Sequence, residues 1–112
     1  MALTTPKVLF GPAQLTTGDV TQYTSPANTN TTVTRAVFIN VNTVAVLLTV
    51  NVVRSGGAVG AINEVIAAYP LSAGQAYVAP ELAGLILAPG DFISAKAGTA
   101  TSINAVASGY TG

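Results

Sequence analysis

The sequence contains no cysteine, no histidine and no tryptophan, and it carries very little charge. Without cysteine there are no disulfides, no thiolate zinc ligands and no cysteine nucleophile. Without histidine the commonest general base and the commonest transition-metal ligand are missing. Charged residues make up 7% of the 112, where an average soluble protein has about 25%. The eight are Lys7, Arg35, Arg54, Lys96, Asp19, Glu64, Glu81 and Asp91, and they sum to zero. Four scattered cations cannot displace the counterions of a polyanion, so no nucleic-acid partner is expected. The longest apolar runs, 44–50 and 65–68, are broken at Thr49 or closed by Pro70. Both fall far short of the roughly 20 residues of a membrane-spanning helix, so no membrane partner is expected either. Residues 1–7 lack a basic region followed by an apolar stretch, which a secretory signal requires. The chain is expected to be made in the cytoplasm and to leave it only inside a larger particle.

Small neutral residues take the place of charge: 19 Ala, 15 Thr, 14 Val, 11 Gly and 7 Asn. Half the chain is apolar and 6% is aromatic, the reverse of the low hydrophobicity and high net charge that keep a segment disordered. A monomer of this size would have to show Ala, Thr, Val and Asn to water. Zero net charge favours association, so the composition describes a protein whose surface is largely covered by partners.

Period-two alternation dominates from residue 31 onward and predicts strands. In 31–41, Val33, Val37, Ile39 and Val41 fall on one face, with Arg35 the exception among them. In 44–53, Val44, Val46, Leu48, Val50 and Val52 make a wholly apolar face. Asn42-Thr43 between these two segments reads as a hairpin connection. Further strands are expected at 8–10, 20–23, 64–69, 75–78, 85–87, 92–97 and 103–110, the last two as a final hairpin across Gly98-Thr99-Ala100-Thr101. Pro80-Glu81-Leu82 reads as one helical turn, and Pro89-Gly90-Asp91 as a tight turn with Gly at positive φ. Eight or nine short strands at intervals of about ten residues indicate an all-β fold, an antiparallel β-sandwich of jelly-roll type. The expected organisation is one domain over 19–112, preceded by an N-terminal arm over 1–18 that is available to a neighbouring subunit.

The supply of catalytic groups is thin. Asp19 and Asp91 stand in turn settings where Asp bonds the backbone, and Glu64 and Glu81 flank loops. Lys7 and Lys96 belong to no recognisable nucleophile–base motif. The glycine-rich run 55–61 lacks the Lys and following helix of a phosphate-cradling loop, and the carboxylates are too dispersed for a calcium loop. No catalytic residue, cofactor or metal is therefore expected. Tyr23, Tyr69, Tyr77 and Tyr110 read either as a sugar-binding surface or as residues that close a sandwich core or anchor a subunit contact. An unpaired charge at Arg35 on an apolar face would be costly. Arg35 thus either reaches solvent at a strand end or pairs with a carboxylate across a subunit contact.

The segments Tyr23-Thr24-Ser25-Pro26-Ala27-Asn28-Thr29, Pro70-Leu71-Ser72-Ala73-Gly74-Gln75 and 84–95, with Pro89-Gly90-Asp91-Phe92-Ile93 inside it, occur in an order that resembles small β-sandwich virion proteins of tailed bacteriophages. The resemblance covers residues 20–110 and consists of strand and turn punctuation rather than chemistry. It implies a capsid decoration (cement) protein on the virion exterior, with the major capsid protein and further copies of itself, as a homotrimer, for partners. It also leaves open a tail, neck or head-fibre accessory protein that binds host surface or glycan. Contact residues are expected in the arm, at Thr4, Thr5, Pro6, Lys7, Val8 and Phe10, and then at Arg35, Tyr23 and Tyr77.

Overall fold

A computed structural model describes residues 5–111. The β-branched stretches become β1 (Thr5–Gln14), β2 (Val20–Thr24), β3 (Thr31–Asn40), β4 (Val46–Val53), β5 (Glu64–Leu71), β6 (Ala76–Val78), β7 (Ile86–Leu87), β8 (Phe92–Ala97) and β9 (Ile103–Thr111). One short 3-10 turn, Ala61–Asn63, precedes β5. Sheet A has the order β1-β9-β3-β6, with β7 also on β3, and sheet B the order β2-β8-β4-β5. All pairs are antiparallel. The partnerships are nested: β1 with β9, β2 with β8, β3 with β6, β4 with β5. Such a pattern is that of a long ribbon folded at the β4–β5 connection and wound into two sheets, which is a jelly roll.

Two connections expected as hairpins are instead crossovers. β3 and β4 lie in different sheets, and so do β8 and β9. Asn40 explains the first. It is fully buried, and its amide donates to the carbonyls of Val44 and Leu71, both at 2.9 Å, while its Oδ1 accepts from the Asn42 N–H at 2.9 Å. These bonds pin the chain where it leaves one sheet for the other and satisfy backbone groups that no ladder reaches. Residues 80–82 form successive turns rather than a helical one, with the Leu82 N–H on the Ala79 carbonyl and the Leu85 N–H on that of Leu82. At Pro89-Gly90-Asp91 the expected turn is present, with Gly90 at φ +86° and the Asp91 N–H bonded to the Ala88 carbonyl at 3.0 Å.

The segment expected as an arm belongs to the sandwich from Thr5 onward. β1 pairs with β9 from Thr5↔Thr111 to Gln14↔Asn104, and Leu9, Phe10 and Leu15 are buried in the core. One edge of its backbone and its inward side chains are therefore already taken up within the chain.

Between the sheets lies a single core that includes Phe38, Leu48, Val50, Leu71, Ile93 and Ile103, all fully buried. Each such side chain contributes about 1.5–3 kcal/mol by leaving water. The alternation read for β4 holds for Val46, Leu48 and Val50, which point inward, with Val52 partly buried against them, but Val44 lies before the strand and is exposed. The alternation read for β3 does not. A bulge between Val33 and Arg35 shifts the register, and an extra residue reverses every later side chain. Val33 is buried, but beyond the bulge the core takes Ala36, Phe38 and Asn40, while Arg35 and Ile39 turn outward.

Candidate functional site

The bulge in β3 creates the main feature of the molecular surface. With the phase reversed, Val37 and Ile39 join the outer face of sheet A. Register places Val37 between Val78 of β6 and Val106 of β9, so three valines form one row across the sheet. Val78 is 51% exposed and Val106 37%. Ile39, Ile86 on β7 and Val8 on β1 are exposed as well. Arg35 is the only charge on β3, β6, β7 and β9. It lies opposite Ser108, which lies opposite Val8. No carboxylate lies within ion-pair distance of Arg35 among the described residues. Arg35 therefore does not stand on the apolar core face; it is an exposed cation two residues along β3 from Val37, beside the valine row.

The outer face of sheet B is built differently. Thr49, Asn51 and Ser94 are polar yet buried. Asn51 donates to the Gly60 carbonyl at 2.9 Å and to Asn63 Oδ1 at 2.6 Å, holding the glycine-rich connection over the sheet. Thr49 Oγ1 accepts from the Ala68 N–H at 3.2 Å. Beside this covered region, β5, β4 and β8 floor an open cavity of about 320 Å³ lined by Thr17, Leu47, Thr49, Glu64, Ala68 and Lys96 among others. Lys96 faces Asp19 at 3.7 Å. No cluster of three potential metal ligands occurs among the described residues.

Two of the three segments that carry the phage-protein resemblance, 23–29 and 84–95, meet at one end of the sandwich, while 70–75 bonds Asn40 at the other end of β3. Ser25 exchanges backbone bonds with the Pro89-Gly90-Asp91 turn: its N–H donates to the Asp91 carbonyl and its own carbonyl accepts from Gly90, both at 2.9 Å. The Tyr23 and Ser25 hydroxyls each bond Thr31 Oγ1 at 3.0 Å. Asp91 is buried and accepts from Arg54 at 2.6 Å, from the Ser55 N–H at 2.8 Å and from the Ala88 N–H at 2.9 Å. Burial alone would raise its pKa, but these three donors bond the charged form and hold it below the ordinary carboxylate value. This end is a latch between loops, and its one reactive-looking carboxylate is fully engaged.

Of the expected contact residues, Thr4 lies outside the described residues. Thr5 pairs with Thr111 along the β1 backbone, Pro6 and Lys7 are exposed on β1, and Phe10 belongs to the core. Val8 and Arg35 are brought onto one row of sheet A. Tyr23 packs half-buried against the core. Tyr77 stacks on Tyr69 with ring centroids 4.9 Å apart, at the edge where β6 approaches β5. Its hydroxyl bonds both oxygens of Glu81 at 2.8 Å. Burial, then the Glu81 carboxylate and finally Tyr69, push the Tyr77 pKa up to about 12. The tyrosines thus close ends and edges and form no continuous groove. Sequence reasoning missed Val78 and Val106 as surface residues and assigned Val37 and Ile39 to the core. The signal was present in Arg35, because a charge inside an apolar alternation marks a slipped phase.

No helix of the described residues is long and apolar enough to cross a membrane. The chain matches no protein-family model, none of the curated proteins and none of the solved structures with which it was compared.

Proposed function

We propose that this chain is a non-catalytic bacteriophage virion subunit, a capsid decoration protein that binds the outer face of the assembled major-capsid lattice and stabilises it against internal DNA pressure. The observation that carries this reading is the uncovered apolar face of sheet A on a chain with only eight charges. Contiguous apolar surface of this kind marks a protein contact, and a shell component is covered by neighbours on several sides. The jelly roll supports the reading by analogy, since it recurs in viral shells, although it also recurs in lectins. The mechanism is thermodynamic: a ligand that binds only the assembled lattice stabilises it by about 2.7 kcal/mol per site at a hundred times its dissociation constant. Summed over a shell, modest affinity opposes rupture.

The test is the copy number of this protein relative to the major capsid protein in purified particles, read by quantitative mass spectrometry. A ratio near one to one is expected, together with earlier rupture of particles that lack it. A handful of copies would replace the reading with a neck, tail or fibre component that binds host surface or glycan. Absence from particles would overturn the virion assignment.

A further inference from the structure

The geometry points to a second copy of this chain as the occupant of the outer face of sheet A, joined face to face about a twofold axis that runs across the strands at the Val78–Val37–Val106 row. This inference uses the same uncovered face that carries the decoration reading and names an occupant for it from the shape, area and charge of that face. It also replaces the threefold ring expected from the resemblance.

The edges of sheet A are unsuited to adding a strand. β1 carries Pro6 and Pro12 and is broken by two register shifts, while β6 has three residues and β7 two. Proline, irregularity and shortness all block edge pairing, so a partner is left with the face. Strands about 4.8 Å apart, with a central strand rising about 3.4 Å per residue, give the four-stranded face an area of about 600 Å². Two such faces bury about 1,200 Å² in total, the lower bound for a stable specific interface.

Charge selects the copy and its orientation. A twofold at Val37 sets residue 35 of one copy over residue 39 of the other. There, register supplies Ile39 beside Asn104, whose Oδ1 already accepts from Gln14 at 3.2 Å. The apolar stem of Arg35 then covers Ile39, and its guanidinium reaches side-chain amide oxygens, acceptors that its own sheet does not supply to it. The two Arg35 side chains fall on opposite sides of the axis, four strand positions apart, about 14 Å along the strands. That separation exceeds the Debye length of about 8 Å at physiological salt. The central row brings valine onto valine, so the face is complementary to itself.

The experiment is sedimentation equilibrium of the full chain, whose monomer mass is 11.2 kDa, alongside Val106→Lys. The native chain is expected to sediment as a dimer. Val106→Lys, which sets like charges against each other near the axis, is expected to weaken association by at least about tenfold with an unchanged far-ultraviolet spectrum. Because the chain has no cysteine, single-cysteine variants cross-link only between copies. Val37→Cys is expected to yield covalent dimer with a short bis-maleimide, and Ile62→Cys, 98% exposed on the connection over sheet B, is not. A monomeric or trimeric native chain, or equal cross-linking of the two cysteine variants, would overturn the pairing. None of those results bears on the copy number in particles, so this inference and the decoration role fail separately.

Discussion

The two sheets of this sandwich present opposite solutions to the same problem. Part of the outer face of sheet B carries Thr49, Asn51 and Ser94, all polar and buried, and the chain holds its own glycine-rich connection over Asn51, while Leu47 and Val65 on the same sheet stay exposed. The outer face of sheet A carries valine and isoleucine, and the chain leaves it bare. What the difference teaches is where coverage comes from. Sheet B is finished by intramolecular hydrogen bonds, which need polar partners at fixed positions. Sheet A has no such cover among the described residues, and Val8, Ile39, Val78, Ile86 and Val106 stay exposed on it.

The comparison breaks most sharply at the latch. Asp91→Asn is expected to cost about 2–3 kcal/mol, because the Ser55 and Ala88 amides lose a charged acceptor in a buried place. Arg54→Ala is expected to cost less than about 1 kcal/mol, since that side chain is 65% exposed and its charge is screened. Urea unfolding of both variants reads the difference. The sign of the pH dependence follows from the lowered Asp91 pKa. Its contribution is complete above the unfolded carboxylate pKa of about 3.9 and is lost as pH falls through the lower folded value. Asp91→Asn is therefore expected to flatten the acid limb of stability against pH.

A smaller change sharpens the account of sheet B. Asn51→Ala removes both bonds that hold the glycine-rich connection and is expected to cost about 1–2 kcal/mol. Amide exchange in residues 56–63 should accelerate while sheet A stays protected. Equal protection in the variant would mean that something other than the polar face holds the connection.

The smallest effect belongs to the edge where the sheets meet. Tyr77→Phe deletes the hydroxyl bonded to Glu81 and is expected to cost about 0.5–1 kcal/mol. A raised phenol pKa means that the folded state holds its proton more tightly than the unfolded chain. Its contribution is thus complete below pH of about 10 and is lost as pH rises through about 12. Ultraviolet titration of the native protein should show one tyrosine ionising last, and the variant should lose that step.

Local structure was legible in the sequence where local physics decides it. β-branched alternation marked β3 and β4, and Pro89-Gly90-Asp91 marked its turn, because φ preferences act within a few residues. Alternation names a strand but not its partner, so the crossovers at 41–45 and 98–102 looked like hairpins. The buried bonds of Asn40 to Val44 and Leu71 join segments whose meeting only the tertiary fold determines. The candidate site was hidden for the same reason. One inserted residue at Thr34–Arg35 moved Val37 and Ile39 from the expected core to the surface, and nothing local fixes where a strand pair bulges. The tyrosines were legible as packing residues but not as separate ones, since Tyr77 meets Tyr69 only because β6 and β5 end beside each other.

The nested pairing has a consequence in time. β9 is the last strand to be made, and it lies at the centre of sheet A, between β1 and β3. Joining the first strand to the last closes a loop of nearly the whole chain, the kind of non-local contact that makes β-sandwiches slow to fold, in milliseconds to seconds. On the ribosome, β4 and β5 can pair early, whereas β1 must wait for β9 to emerge. The valine row that would draw another molecule is completed only by Val106 on that final strand. A chain made only as far as β8 therefore lacks the completed valine row.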